Sequence, residues 1–294
     1  MVSNNKIKPQ SVWIGVADPL SALLATNYNI DGIWVSSFCV SAAIKGYPDI
    51  SILSSSEMIA AARQIGLIVK DTNIPVYIDC DCGYGDESIF GYVVNELIHT
   101  TNIAGVCIED KVFPKRNSFS SNDNQALDTI DNFCKKIMVA KDIRDKSGKN
   151  FSIVARTEAL VLSDSVEEAL TRLKSYSAAG ADALLIQSKG AIEPLLNVAR
   201  AWEEKDIPLI CVPTAYPEYT SDFFWNQGFD VVVYANQLIR ASVQAQSQVL
   251  NTLINEKLSV ASIPSESLWS MSKINDLIHP EKSDVSVKKE QIFM

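Results

Sequence analysis

The chain has 294 residues, of which 47% are hydrophobic, and its 26 basic and 35 acidic side chains give a formal net charge of −9. This length and hydrophobic content can form a sizeable core, either in one large α/β barrel or in two medium domains. The acidic balance argues against nucleic acid or an anionic membrane as the main partner, so an anionic ligand would need a local cluster of cations.

The amino-terminal residues 1–10 are polar, and no apolar run approaches the roughly 20 residues that span a bilayer. We therefore expect no secretory leader, no membrane association and a cytoplasmic location. The six cysteines lie mostly in apolar runs, and their spacing fits no disulfide framework. Cys80 and Cys82 lack a second pair and nearby histidines, so buried free thiols are expected rather than a zinc site.

Eight apolar runs rich in Val, Ile and Leu alternate with helical patterns along the chain. The predicted strands are 12–17, 31–36, 75–80, 104–108, 151–156, 181–187, 207–213 and 229–236. The predicted helices are 18–28, 55–70, 87–100, 127–145, 165–179, 192–204, 220–227 and 237–256. Continuous apolar strands are typical of a parallel sheet covered on both faces, and the alternation predicts a (β/α)8 barrel over residues 1–256. A doubly wound sheet is the alternative, because a strand count does not prove closure.

Two segments depart from this alternation. Residues 37–56 form neither a clean strand nor a clean helix, and because long loops in compact domains are usually functional or mobile, this segment is a lid candidate. The extension 257–294 contains one helical pattern at about 265–278 and a charged tail. Trp269 and Leu277 would be exposed in an isolated barrel, so this helix is expected to pack on a neighbouring subunit. The last dozen residues are expected to be disordered.

Acidic residues end two of the apolar runs, in the sequences PVYIDCDCGYGD at 75–86 and AGVCIEDKVFPKRNS at 104–118. Asp79 and Asp81 point to the same side of an extended strand, and Glu109 ends the next strand. Unpaired carboxylates in such a buried position are costly, which indicates a site. The three acids suit Mg²⁺, and the basic and amide groups of residues 115–118 suit an anion bridged to it.

Polar side chains also follow the other strands, where active groups of a barrel gather. In chain order these strand-end residues are Ser36, Ser37, Asp79, Asp81, Glu109, Lys111, Arg156, Glu158, Gln187, Ser188, Thr214 and Asn236. The barrel prediction therefore places them around one cavity.

The sequence EDKVFPKRNS at 109–118 resembles the signature of phosphoenolpyruvate mutases, in the isocitrate lyase and phosphoenolpyruvate mutase superfamily. The segments DCDCGYG, ARTEA, PTAYP and YANQLIRAS extend the similarity over residues 11–278. The resemblance implies a barrel whose eighth helix is exchanged between subunits of a homodimer or homotetramer. It also implies Mg²⁺-dependent interconversion of phosphoenolpyruvate and 3-phosphonopyruvate, the step of phosphonate biosynthesis that forms a carbon–phosphorus bond.

The resemblance also implies roles for individual residues. Asp81 corresponds to a direct metal ligand, and Asp79 and Glu109 correspond to ligands through water. Asp49 corresponds to a gating residue in the loop. Residues implied to contact the pyruvoyl unit are Ser36, Ser37 and Phe38, and those implied to hold the phosphoryl group are Lys115, Asn117, Ser118, Arg156 and, in place of a family histidine, Gln187. Positioned cations and amide donors suit a metaphosphate-like transition state, whose charge is spread over three oxygens.

Some positions differ from the family pattern. Gln187 and Gln237 stand where histidine is usual, and glutamine can donate a hydrogen bond but carries no charge. Val35 and Ser37 stand where glycine is usual, which could alter the approach of the backbone to the substrate.

Three other activities within the superfamily remain open. Phosphonopyruvate hydrolases resemble the chain in PDISILS and PTAYP, but tend to carry Thr at the position of Asn117. Carbon–carbon lyases use a cysteine in the loop after strand four, and residues 111–122 contain none. A silent or altered homologue is the third alternative, because the two histidines are absent.

Overall fold

The computed structural model describes residues 7–119 and 125–278, and its centre is a closed barrel of eight parallel strands in chain order. The strands are β1 (Ser11–Val16), β2 (Gly32–Val35), β3 (Val76–Asp79), β4 (Gly105–Glu109), β5 (Ser152–Thr157), β6 (Ala183–Ile186), β7 (Leu209–Cys211) and β8 (Val231–Tyr234). The pairing of Ser11 in β1 with Val231 in β8 closes the barrel. The (β/α)8 prediction is confirmed, and the doubly wound alternative is wrong.

Helices surround the barrel at every position that the sequence predicts. The α-helices of the described residues are α1 (Pro19–Ala25), α2 (Ser37–Val40), α3 (Ser55–Ile68), α4 (Glu87–Thr100), α5 (Ile130–Ser147), α6 (Ala159–Leu162), α7 (Val166–Ala178), α8 (Ile192–Ala201), α9 (Ser221–Asn226), α10 (Gln237–Leu250) and α11 (Met271–Ile278). Shorter turns are the π-helical Ser41–Lys45 and Asn251–Asn255 and the 3₁₀ segments Pro213–Ala215, Val260–Ser262 and Ser265–Ser267. The sequence patterns did not reveal the one-turn helices α2 and α6.

Aromatic rings fill the interior of the barrel. The ring centroids of Trp13 and Tyr77 lie 4.0 Å apart with an interplanar angle of 9°, and Trp34 stacks with Trp13 at 6.2 Å. All three side chains are buried, and aliphatic residues of β5 to β8 pack around them. The interior is thus a packed core, and the carboxyl ends of the strands remain for a site.

The segment predicted as a loop over 37–56 is partly helical. Ser36 caps α2, because its Oγ accepts a hydrogen bond from the Cys39 N–H. The π-helical turn that follows ends at Gly46, whose φ of 63° suits glycine. Irregular chain then leads to Ser54, which forms a reciprocal capping box with Glu57 at the start of α3. Residues 46–54 are therefore a loop held between two helical segments.

The carboxyl-terminal extension differs from its prediction. A 3₁₀ turn and an extended stretch precede α11, so 265–278 is not one helix. Leu277 is only 4% exposed within its own chain, where α11 packs beside α1, so the expectation that this side chain is exposed is wrong. Trp269 is half-buried, with the Lys273 ammonium 4.3 Å from its ring centroid. The residues expected to be disordered lie outside the described part of the chain.

All six cysteines are free thiols, and all but Cys134 are buried, as the sequence predicts. Within residues 7–119 and 125–278, no helix is both long and apolar enough to cross a membrane.

The contact between β1 and the end of β8 gives a test of the barrel packing. A Cβ added at Gly15 would lie 2.0 Å from the Ala235 carbonyl oxygen, so Gly15→Ala forces the backbone apart. We expect it to lower the free energy of unfolding by about 2 to 3 kcal/mol in denaturant titration. Gly190→Ala is the matched control, because its nearest contact is an ordinary 3.4 Å to Asp164. Equal stabilities of the two variants would contradict the packing.

Candidate active site

The predicted site residues converge on a cavity of about 390 Å³ at the carboxyl ends of the strands. Those that line it are Ser36, Phe38, Asp49, Asp79, Lys115, Asn117, Ser118, Arg156 and Gln187. Ser37, Asp81 and Glu109 lie directly behind this lining. Ser37 Oγ donates to Asp79 Oδ2 at 3.0 Å, Asp81 Oδ1 lies 2.9 Å from Lys115 Nζ, and Glu109 Oε2 lies 3.3 Å from Arg156 Nη2. The sequence thus predicted one continuous cluster.

A sharp turn after β3 places two carboxylates together. Asp81 has a φ of 51°, which is uncommon for a residue other than glycine, and Gly83 follows with a φ of 88°. The Asp81 N–H donates to Asp79 Oδ1 at 3.2 Å, so the first carboxylate helps to hold the turn that carries the second. Local strain of this kind is typical of functional sites.

Buried cations lie between these acids. Lys115 Nζ is 2.8 Å from Asp49 Oδ2 and 2.9 Å from Asp81 Oδ1. Arg156 donates from Nε to Glu158 Oε1 at 2.6 Å, and its Nη1 lies 4.0 Å from Asp79. Each cation therefore bridges carboxylates that come from different segments of the chain.

Lys111 is a third cation, and the sequence did not mark it as a site residue beyond its place at a strand end. Its side chain is 1% exposed and lies 3.2 Å from Glu109 Oε1 and 3.3 Å from Glu158 Oε2. Its ammonium also donates to the Arg116 carbonyl at 2.6 Å and to Ser118 Oγ at 3.2 Å. Lys111 thus ties the loop after β4 to the acids beneath it.

The charges of the cluster do not balance. It contains five buried carboxylates and three buried cations, which leaves two formal negative charges uncompensated. The carboxylates are Asp49, Asp79, Asp81, Glu109 and Glu158, and the cations are Lys111, Lys115 and Arg156. Burial raises the pKa of Asp79, and it raises the pKa of Asp81 to about 7. Burial opposes ionisation of Glu109 too, but Lys111 and Arg156 outweigh it and lower the pKa of this carboxyl to about 2.

The donor set fits a divalent metal ion in its chemistry. Asp81 Oδ1 and both Glu109 oxygens are buried yet accept no hydrogen bond, although cations lie close to them. A deficit of two positive charges and carboxylate oxygens without a hydrogen bond match the preference of Mg²⁺ for hard oxygen ligands. No preformed group of three His, Cys, Asp or Glu ligands exists among the described residues. Lys115 and Arg156 stand between the acids and separate them.

The loop after β4 supplies the groups on the open side of the cavity. Asn117 Nδ2 donates to Asp49 Oδ2 at 3.1 Å. Ser118 Oγ donates to Glu158 Oε2 at 2.5 Å and accepts from Arg156 Nη2 at 3.0 Å. The loop 46–54 reaches the same place, because Ser51 Oγ accepts from the Lys115 N–H at 2.9 Å. The lid candidate is therefore in contact with the predicted phosphoryl-binding loop.

Behind the site, Asp110 joins the ends of β4 and β5. Its carboxylate accepts hydrogen bonds from the Glu158 N–H at 2.8 Å and from Tyr176 Oη at 2.7 Å. Thr157 Oγ1 and Arg172 Nη1 complete the shell at 2.8 and 3.2 Å. The strand-end position of Asp110 was visible in the sequence, but its partners on α7 were not.

The fold and the site together define a (β/α)8 barrel enzyme whose buried charged centre lies at the carboxyl ends of its strands. The sequence profile of the phosphoenolpyruvate phosphomutase family matches residues 7–254. The phosphoenolpyruvate phosphomutase of Tetrahymena pyriformis is 35% identical over 242 residues, which make up 81% of this chain and 77% of that protein. The chain belongs to the phosphoenolpyruvate phosphomutase family.

Phosphonopyruvate hydrolases are also similar to the chain. The hydrolase of Variovorax sp. strain Pal2 is 36% identical over 234 residues, which cover 79% of this chain and 78% of that protein. A crystal structure of phosphonopyruvate hydrolase in complex with oxalate and Mg²⁺ superposes with a TM-score of 0.82 at 30% identity. That match covers 94% of this chain and 95% of the other. Family membership therefore leaves two reactions to distinguish.

The uncompensated acids predict an unusual pH dependence for the metal-free protein. The pKa of Asp81 rises from 3.8 in the unfolded chain to about 7 in the folded protein, so the folded state binds more protons between these values. The free energy of unfolding should thus fall as the pH rises from about 4 to about 7, by at most about 1.4 kcal/mol per pH unit for this group. Denaturant titrations at several pH values check this.

Asp81→Asn is the matched variant for that measurement, since its amide cannot titrate. We expect its stability to depend less on pH over the same interval. A wild-type stability that rises from pH 4 to pH 7 with the same slope as the variant would contradict the charge deficit at Asp81.

Proposed function

We propose that the protein is a Mg²⁺-dependent phosphoenolpyruvate mutase that interconverts phosphoenolpyruvate and 3-phosphonopyruvate, as a step of phosphonate biosynthesis. The observation that carries the proposal is the meeting of an acid cluster short of two positive charges with a loop of cationic and amide donors in one cavity. Membership of the family and the similar mutase support it. We also propose a cytoplasmic location, because the free thiols fit a reducing compartment.

In this proposal, Asp81 would hold the metal directly, and Asp79 and Glu109 would hold it through water. The bound ion would stabilise the negative charge of a pyruvate enolate. The solved complex of a phosphonopyruvate hydrolase with oxalate and Mg²⁺ supports this ligand class. The buried oxygens of Asp81 and Glu109 that lack hydrogen bonds are the local support.

The other residues bind and orient the substrate. The start of α2, at Ser36, Ser37 and Phe38, would contact the pyruvoyl unit. Arg156 and Ser118 would hold the phosphoryl group, and their mutual hydrogen bond at 3.0 Å fixes their relative position. A dissociative phosphoryl transfer needs positioned positive charge more than a strong base, and the buried guanidinium supplies it.

The loop contacts of Asp49 would exclude water during the transfer. Asp49 joins Lys115 at 2.8 Å and Asn117 at 3.1 Å, so the two loops close over the cavity together. Exclusion of water matters because a phosphoryl group in transit could otherwise be hydrolysed. Asn117, which lies on the loop after β4 and donates to Asp49, is the residue to which we assign the mutase outcome.

A phosphonopyruvate hydrolase is the second candidate, and the 36% identity to the Variovorax enzyme favours it. It would share the pyruvate and metal contacts and differ in delivering the phosphoryl group to water. A silent or altered homologue is the third candidate, since Gln187 carries no charge.

The reaction products separate these candidates. The purified protein is incubated with 3-phosphonopyruvate and Mg²⁺, and ³¹P resonances are followed. We expect the resonance of phosphoenolpyruvate to appear, and to disappear from a parallel sample with excess EDTA. Inorganic phosphate as the first product would instead indicate a hydrolase. An unchanged spectrum would contradict the mutase proposal.

Removal of the Asn117 amide tests the site assignment. We expect Asn117→Ala to lower kcat of the mutase reaction at least about 100-fold, because a positioned donor is lost in a water-excluded cavity. Asp81→Ala should abolish turnover at every Mg²⁺ concentration. Asn95→Ala on the exposed face of α4 is the control and should keep the wild-type rate. Wild-type turnover in the Asn117 variant would remove this residue from the mechanism.

We further propose that the protein is a homodimer or homotetramer assembled through α10 and the turn that follows it. No residue of α10 is buried. Its apolar side chains Val243 and Leu250 are 62% and 60% exposed, and Ile254 in the turn that follows is 65% exposed. Exposed apolar side chains along a helix and the turn that follows it are typical of an interaction surface, and a second copy of the chain is the proposed partner.

Charged substitutions on α10 test the assembly. We expect light scattering of the wild-type protein to give the mass of a dimer or a tetramer, and the double variant Val243→Glu and Leu250→Glu to give a smaller species. Leu67→Glu, at an equally exposed apolar position on α3, is the control and should leave the mass unchanged. A monomeric wild-type protein at micromolar concentration would contradict the proposal.

A further inference from the structure

The wall of the cavity at β7 and β8 contains a cation that the proposed mechanism does not use. Arg240 lines the cavity from the first turns of α10. Thr214 and Asn236, at the ends of β7 and β8, line it beside Arg240. The ends of β7 and β8 lie across the barrel from the strands that carry the acid cluster, so the cavity has an acidic side and a side rich in hydrogen-bond donors.

Arg240 differs from the other cations of the cavity in its partners. Lys115 and Arg156 both lie against buried carboxylates. Arg240 forms no ion pair with any acid of the described residues, and its one side-chain contact is Nη1 to the neutral Asn236 Oδ1 at 3.4 Å. Its positive charge is therefore available to a ligand.

Hydrogen-bond donors with free capacity line the same cavity as this guanidinium. Asn236 Nδ2 donates to Thr214 Oγ1 at 3.3 Å, which leaves the Thr214 hydroxyl proton free to donate in turn. Gln187 is only 4% exposed, and its Oε1 accepts from Arg156 Nη2 at 2.8 Å. That bond fixes the amide so that Nε2, which has no protein partner in the described residues, is the group left for a ligand.

We propose that Arg240, with Thr214, Asn236 and Gln187, forms an anion subsite that binds an oxyanion group of the substrate on the β7 and β8 side of the cavity. The inference rests on the proposed function for the nature of the substrate. A phosphonopyruvate molecule has two anionic ends, and the acidic side of the cavity repels both in the absence of metal. A guanidinium without an acidic partner, in one cavity with two amide side chains and a hydroxyl, has the chemistry to hold either a carboxylate or a phosphonate.

Ligand affinity measures this subsite separately from turnover. The Mg²⁺-loaded protein is titrated by calorimetry with 3-phosphonopyruvate and, separately, with oxalate, which lacks the phosphonate. We expect Arg240→Gln to weaken phosphonopyruvate binding roughly tenfold, the usual size for loss of one charge-assisted contact. Unchanged oxalate affinity would assign the subsite to the phosphonate, and an equal loss for both ligands would assign it to the carboxylate.

Arg200→Gln is the matched control, because it removes the same charge from an exposed arginine on α8 that contacts Gln227. Equal losses in the two variants would reduce the effect to long-range attraction and overturn the subsite. Unchanged affinities in Arg240→Gln would overturn it as well. Thr214→Val, which removes only a hydroxyl, should weaken the same ligand as Arg240→Gln does.

The outcome is distinguishable from failure of the proposed function. Suppose that ³¹P spectra show no mutase product, but phosphonopyruvate binds and Arg240→Gln weakens its binding. The subsite proposal is then supported and the proposed mutase function is rejected. If the mutase reaction proceeds and Arg240→Gln changes neither the affinity for phosphonopyruvate nor KM, the proposed function is supported and the subsite proposal is rejected. Light scattering on Arg240→Gln should give the wild-type mass. A changed mass with equal loss of both ligands would assign Arg240 to assembly instead.

Discussion

The structure depends on one electrostatic constraint, the burial of five carboxylates beside only three cations at the mouth of an apolar barrel. Burial of uncompensated charge is among the most unfavourable arrangements in a folded protein. It persists here because the barrel provides a large core, including the stacked rings of Trp13, Trp34 and Tyr77. A site that is unfavourable when empty has a corresponding affinity for the ligands that supply the missing charge.

The same constraint explains how the loops are held. Lys111 and Lys115 are two buried lysines whose positions follow from the acids around them, and each also contacts a neighbouring loop through a backbone group. Asp110 adds a second anchor, because it ties the ends of β4 and β5 to Tyr176 and Arg172 of α7. The residues that contact a substrate are thus positioned by groups that do not contact it, which is how precise active sites are usually built.

The sequence predicted the barrel, and it named side chains that the structure brings together around one cavity, for a simple reason. Apolar runs mark buried strands. A polar residue at the end of such a run lies at the carboxyl end of the barrel, which all strands share. Lys111 and Glu158 stood in the list of strand ends, but their mutual contact depends on the closure of the barrel, which no local pattern contains. The burial of Leu277 depends likewise on the packing of α11 beside α1. The helix α2 escaped prediction because serine and valine have low helix propensity, and its cap at Ser36 is a local compensation.

The aromatic stack in the barrel interior has a consequence for substrate entry and product release. The three rings fill the barrel interior below the cavity, and residues 46–54 contact the loop after β4 at the carboxyl ends of the strands. Substrate and product must then enter and leave at the same end of the barrel. Product must be released before the next substrate molecule binds. The rate of that exchange therefore limits kcat, however fast the chemical step becomes.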